Sequence, residues 1–408
     1  MHLCLALLVL TSSTFAAQPH WVATWAPSPS PQLADTEQMR VAKLIFERQT
    51  LRQIAHVSLG GPQLRLRLSN AYGKQRLPIG SVHVALRAQG PGMVTGIVPG
   101  SDRVVNFSGR PIVTIPADAI VLSDPIALNV PDGADLVISL FLPQPVLGAG
   151  IHYAAQQTNY IAPGDQTAAL ELTDSSKLAS WVYLAGVDVL APQTAFTIVT
   201  FGDSITDGAR STSDTNRRWP DILAARFKGR RIAVTNAGIG GNRILHDAYP
   251  NSIRFGLNAL ARFDRDVLAK PGVRYVILLE GINDLGHAGT SAPQSETVTA
   301  QDLIAGMTQL IERAHERGVK VIGATILPFE GTVFPGYYTP EKEAKRQAIN
   351  AWIRTGKAFD GVIDFDQTTR DPQRPGRVLA AYDGGDHLHP GDAGYQAMGA
   401  SIDLKLFK

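Results

Sequence analysis

The chain has 408 residues, 44% of them hydrophobic and 18% charged, enough apolar material for more than one core and too much for global disorder. A formal net charge of +2, with no Lys/Arg block, excludes a partner bound through a basic patch, nucleic acid above all. The single cysteine, Cys4, sits in the N-terminal apolar run, so the rest of the chain has no thiol nucleophile, thiolate metal site or disulfide.

Residues 1–17 carry that run. "LCLALLVL" is followed by "TSSTFAA", whose small residues Thr14, Ala16 and Ala17 suit signal cleavage, although only His2 precedes the apolar core. A buried N-terminal helix is the competing reading. The run is shorter than the ~20 residues needed to cross a bilayer. The expectation is a signal peptide over 1–17 and a secreted protein, periplasmic or extracellular, with no stable membrane insertion.

Residues 18–192 read as all-β. Short apolar segments recur between turn residues: "AHVSLGG", "LRLRLSNAYG", "SVHVALRAQG", "DLVISLFLP" and "WVYLAGVDVL" among them. In "LRLRLS", Leu64, Leu66 and Leu68 alternate with Arg65 and Arg67, the period of a strand with one buried face. A sandwich or jelly roll is expected. The one helical pattern in this half is "DTEQMRVAKLIFE".

From residue 193 to 408 apolar strands alternate with helices. The strands are "FTIVTFG", "RIAVTNAG", "RYVILLEG", "KVIGATILP" and "GVIDFD", and helices fit 219–227, 302–317, 341–359 and 391–406. This order predicts a three-layer α/β fold around a parallel sheet. Ligands of such folds bind at the carboxyl ends of the strands, so the polar residues ending them are the informative ones. They form four clusters: Gly202-Asp203-Ser204; Asn236 through Asn242; Gly281-Ile282-Asn283-Asp284; and Asp386-His387-Leu388-His389-Pro390.

These clusters can do acyl-transfer chemistry. A serine hydroxyl needs a base, and an imidazole base needs an orienting acid. Asp386 and His389 stand three apart on one loop, which lets the carboxylate reach one ring nitrogen and leaves the other for Ser204. Pro390 biases His389 to extended backbone. An oxyanion would find donors in the N–H of Ser204, the N–H of Gly241 and the side-chain amide of Asn283. Gly241 lets a substrate approach the backbone, and an amide donates without adding charge. Gly240 is the alternative donor, and Gly238 and Gly240 otherwise read as turn residues. His387 is the rival base, although its side chain should leave the loop on the other side from that of Asp386. Asp203 and Asp207 read as acceptors for loop N–H groups, and Asp284 as a cap or anchor. A lone Gly-Asp-Ser could equally be a helix cap, and Asn283 a loop pin.

Together the blocks "FGDSITDG", "NAGIGGN", "EGINDLG" and "DHLHPGDAGY" resemble the SGNH, or GDSL, hydrolases, in the family's order, from about residue 195 to 408. The β-rich first half is similar to that of a subgroup of secreted bacterial GDSL proteins. The resemblance implies a flavodoxin-like α/β/α domain with Ser204 as nucleophile, His389 as base, Asp386 as its partner, and Ser204, Gly241 and Asn283 as the oxyanion hole. It implies no metal or organic cofactor. No HExxH, CxxC, P-loop or GxSxG motif occurs, and "GIGG" falls short of a dinucleotide fingerprint.

Arg243 and His246, just after the glycine turn, and His152 and Tyr153, in "GIHYAAQQTNYIAPGD", are candidates for contacting substrate. Trp21 and Trp25 could stack on sugars, or lie buried. The expected activity is carboxylic ester hydrolysis through an acyl-enzyme. An O-acylated carbohydrate, small or polysaccharide, is favoured as substrate, with short-chain lipid esters or lysophospholipids as the alternative. A reading of another class is a glycan-binding protein with a silent hydrolase fold. Nothing in the sequence specifies an oligomeric state.

Overall fold

The computed structural model describes residues 19–33, 36–90 and 93–408. The expected signal peptide and Cys4 lie outside the described residues.

The first half contributes two antiparallel sheets. The smaller is ordered His20–Trp25, Leu184–Ala191, Leu64–Ser69, Ile120–Leu122. The larger has six strands, with Gln49–His56 and Asp135–Leu142 at its centre. Alternation decides which side chains enter the core. Leu64, Leu66 and Leu68 are fully buried in an apolar cluster with Leu51, Ile138 and Leu140. The other face of that strand is paired rather than solvated, since Arg65 and Arg67 both donate to the buried carboxylate of Asp188, at 2.8 and 2.9 Å. The Arg65 guanidinium lies over the Trp21 ring, and Trp25 is buried edge-on against Trp181. Trp25 therefore offers no face to a sugar, and the guanidinium takes one face of Trp21. The helical pattern near residue 40 yields only Thr36–Val41, because the chain turns into the strand Ile45–Phe46.

The second half is built on a five-stranded parallel sheet. Its order is Ile232–Gly238, Phe196–Gly202, Val273–Leu279, Lys320–Ala324, Gly361–Ile363. All seven residues of Phe196–Gly202 are buried, as expected of a central strand covered on both faces. The helix Ala300–His315 buries Leu303, Met307, Leu310, Ile311 and Ala314. It begins two residues before its expected start because Thr299 and Asp302 form a reciprocal cap, which makes Asp302 the third residue of the helix. The helix Pro340–Thr355 starts on proline and stops four residues short of its expected end, at Gly356. The last helix, Asp392–Ser401, is followed by a separate 3₁₀ turn at Leu404–Leu406 that Asp403 caps.

The halves are bonded to each other. Ala23 N–H donates to the Pro271 carbonyl at 2.9 Å, and the Thr197 hydroxyl donates to the Ala23 carbonyl at 2.8 Å. Among the described residues no helix is long and apolar enough to cross a membrane.

The carboxyl ends of the parallel strands are held by the packing beneath them. Ile277, fully buried in the middle strand, lies in the single large apolar cluster of this half. Ile277→Ala is expected to cost about 2–5 kcal/mol of stability, read as a lower urea midpoint with an unchanged slope.

Candidate active site

The chain leaves Phe196–Gly202 through Asp203, whose carboxylate caps the one-turn helix Ser204–Asp207 by accepting the N–H of Ile205 at 2.9 Å. Gly202 is required by contact. A Cβ there would lie 2.2 Å from Thr206 Oγ1 and 2.5 Å from the Leu279 carbonyl. Ser204 is thereby presented at the start of the turn, where N–H groups lack intrahelical acceptors.

Ser204 Oγ lies 2.8 Å from His389 Nε2, and His389 Nδ1 lies 2.9 Å from Asp386 Oδ2. Asp386 also accepts the N–H groups of Leu388 at 3.1 Å and His389 at 2.8 Å, and Nε–H of Arg210 at 3.0 Å. Burial pushes the Asp386 carboxyl up, but the His389 bonds and the Arg210 donor outweigh it and hold it well below the usual carboxylate range. As an ionised acceptor it receives a hydrogen bond from Nδ1–H, which keeps the proton on Nδ1 and leaves the lone pair of Nε2 facing the serine hydroxyl. His387 adopts positive φ, is exposed and pairs with Asp383, away from Ser204.

The glycine turn approaches from the neighbouring strand. Gly241 has φ +80, and a Cβ on it would run into the Phe255 ring at 2.3 Å. The N–H of Gly240 is committed to Asp207 Oδ2 at 3.2 Å, which leaves Gly241 as the candidate donor of this turn. Asn283 opens the helix Ile282–His287. Its Nδ2 donates one hydrogen to the Asn242 carbonyl at 2.9 Å, and its Oδ1 accepts the Tyr337 hydroxyl at 2.7 Å. Tyr337 thus fixes which end of the amide faces the cavity and keeps a second N–H available there. Asp284 anchors the glycine turn by accepting from Ile244 and Leu245, at 2.8 and 3.0 Å. Burial raises Asp284 to about 6 and Asp203 to about 7.

Ser204, Gly241, Asn283 and His389 line one cavity of about 570 Å³. Its remaining wall is mostly apolar: Phe255, Phe334, Pro335, Tyr337 and Leu388, with His287, Thr290 and Ser291 beside them. Burial, with Arg243 and Lys342 nearby, lowers His287 to about 4, so this ring is a neutral wall at ordinary pH.

The four residues expected to touch substrate do not line this cavity. Arg243 is buried and pairs with Glu296 at 2.6 Å, which ties down the segment after the glycine turn. His246 also lies away from it. His152 and Tyr153 line an adjoining hollow that shares Gly240 and Phe255 with the cavity. There His152 is bonded to Asp207 and Ser28, and Tyr153 donates to the Pro31 carbonyl at 2.8 Å. Conversely, sequence reasoning passed over Tyr337, Phe255, Phe334, Arg210 and His287. Only His287 had a usable signal: it follows Asn283 by four residues, one helical turn on the same face.

The Asp386 shift has a stability consequence of definite sign. A carboxyl depressed in the folded state stabilises it above the unfolded pKa of about 3.9 and loses that contribution as pH falls toward the folded value. The stability gap between wild type and Asp386→Asn is therefore expected to be full at pH 7 and to narrow below about pH 4. Denaturant midpoints measured across that range check it.

Residues 200–397 match the GDSL-like Lipase/Acylhydrolase family. No curated protein matches the chain. Among solved structures, a GDSL-like lipase from Bacteroides thetaiotaomicron VPI-5482 is 22% identical, covering 52% of this chain and 87% of its own, with a TM-score of 0.37. The native M. smegmatis aryl esterase is 18% identical over 50% of this chain and 95% of its own, at 0.39. Est24, a carbohydrate acetylesterase from Sinorhizobium meliloti, is 19% identical over 50% and 94%, at 0.38. Residues 200–397 thus form a GDSL-like lipase/acylhydrolase domain.

Proposed function

We propose that the protein is a serine carboxylic ester hydrolase that works through an acyl-enzyme on Ser204. The observation that carries this reading is the hydrogen-bonded chain Ser204–His389–Asp386 opening into a cavity that also holds Gly241 and Asn283. His389 Nε2 takes the proton from Ser204 Oγ as Oγ attacks the ester carbonyl carbon. The resulting oxyanion is held by the N–H groups of Ser204 and Gly241 and the free N–H of Asn283. The imidazolium, stabilised by Asp386, gives its proton to the leaving alcohol oxygen as the C–O bond breaks. Water then attacks the acyl-enzyme with His389 again as base, which releases the acid and restores the serine hydroxyl.

The sequence alone favours an O-acylated carbohydrate. The cavity supports a different emphasis, because an acetyl group would fill little of its volume and its wall is largely aromatic and aliphatic. We place an apolar acyl chain or aryl group there, with the polar part of the substrate toward Thr290 and Ser291. Secretion, which rests on residues 1–17, belongs to the same proposal. N-terminal sequencing of protein recovered outside the cytoplasm checks it.

Ser204→Ala should reduce p-nitrophenyl ester turnover by about 10³-fold or more and abolish fluorophosphonate labelling, with an unchanged circular dichroism spectrum. Undiminished turnover in this variant would rule the Ser204 mechanism out, and no turnover in the wild type would leave the glycan-binding reading. Tyr337→Phe is expected to lower kcat roughly tenfold with little change in KM, because the Asn283 amide is then free to turn. A chain-length series of nitrophenyl esters, set beside acetate release from acetylated xylan, tests the acyl cavity. A profile peaking beyond acetate supports an apolar occupant, and acetate release from xylan alone supports the glycan.

A further inference from the structure

The proposed chemistry draws its reacting groups from residues 204–389, yet an imidazole from the β-rich half is buried directly behind the oxyanion turn. His152 is 4% exposed. Its backbone exchanges hydrogen bonds with Trp181 in both directions, at 2.8 and 3.0 Å, and its ring lies 5.5 Å from the Trp181 ring. The imidazole therefore has one position.

Both ring nitrogens are used. Nδ1 lies 2.9 Å from the Ser28 carbonyl, which can only accept, so Nδ1 carries a proton. Nε2 lies 2.9 Å from Asp207 Oδ1, so a second proton sits between ring and carboxyl. The other oxygen, Oδ2, accepts the N–H of Gly240 at 3.2 Å. Gly240 immediately precedes Gly241, the candidate oxyanion donor. The fit is close, since a Cβ on Gly238 would lie 2.3 Å from the Asp207 nitrogen. The glycine turn thus rests on the serine turn, and Asp207 sets the spacing between them.

We propose that His152 is a positioning residue. Through Asp207 it holds the Gly240–Gly241 turn where the Gly241 N–H meets the developing oxyanion, so the β-rich half completes the reaction centre without touching substrate. This rests on the serine-esterase reading above. The charge state agrees with it: burial alone would keep the imidazole neutral, but the facing Asp207 carboxylate and the Ser28 carbonyl outweigh burial and raise its pKa. Without His152 the buried Asp207 carboxylate would lose the partner that orients it, and a turn displaced by ~1 Å is enough to cost turnover heavily.

The test uses the full chain and p-nitrophenyl acetate, with enzyme concentration set by fluorophosphonate titration of Ser204. His152→Phe is expected to lower kcat roughly tenfold or more while KM stays within about twofold. His152→Gln keeps a side-chain N–H for Asp207 and should recover most of that loss. A folded His152→Phe with kcat within about twofold of wild type overturns the proposal, as does a Gln variant no better than Phe. Should the Phe variant not fold, Asp207→Asn decides. A roughly tenfold loss of kcat supports the link, and unchanged kcat sinks it. A wild type with neither turnover nor labelling fells the esterase reading, and this proposal with it; turnover retained in His152→Phe fells this proposal alone.

Discussion

The site depends on a buried carboxylate with a full set of donors. Asp386 accepts two backbone N–H groups from its own loop, the His389 ring and an arginine from the serine side of the cleft. The backbone bonds shape the loop, and the ring bond settles the tautomer. Arg210, which extends from just beyond the serine turn, ties the loop to the element that presents Ser204. A carboxylate left unpaired at this depth would be costly, so loop shape, imidazole orientation and closeness to Ser204 form one cooperative arrangement.

The parallel sheet gives that arrangement its frame. Adjacent strands run in register, with Gly202 opposite both Gly238 and Leu279, so the serine turn, the glycine turn and the Asn283 helix start at similar height on one rim. Contact between the first two is close enough that Gly238 has no room for a Cβ, and Gly202 has none against Thr206 and the Leu279 carbonyl. The glycines of these motifs are therefore packing devices as much as conformational ones. Gly241, at φ +80, is both.

The β-rich half is part of the same construction. Its first strand bonds to the hydrolase half through Ala23, and His152 reaches under the glycine turn. Its sheets keep a continuous apolar core of their own. The two tryptophans near its start belong to its packing: Trp25 is buried and Trp21 lies under a guanidinium. What this half places behind the glycine turn is the His152 imidazole, bonded to Asp207.

The sequence by itself determined the chemistry-bearing set and the strand ends that carry it. Ser204, Asp386, His389 and Asn283 could be read because reactive groups stand on short local motifs, and because parallel strands deliver their carboxyl ends to one side. Alternation placed Leu64, Leu66 and Leu68 inside, and helical spacing located the longer helices to within a few residues. Tertiary structure alone decided what surrounds those groups. Tyr337 meets Asn283 across 54 residues and His152 meets Asp207 across 55, contacts for which no local spacing gives a signal. Arg243 looked well placed for substrate because it follows the glycine turn, but Glu296 draws it into the protein. Periodicity reports which face of an element is buried. Which distant side chain waits there is settled only when the layers close.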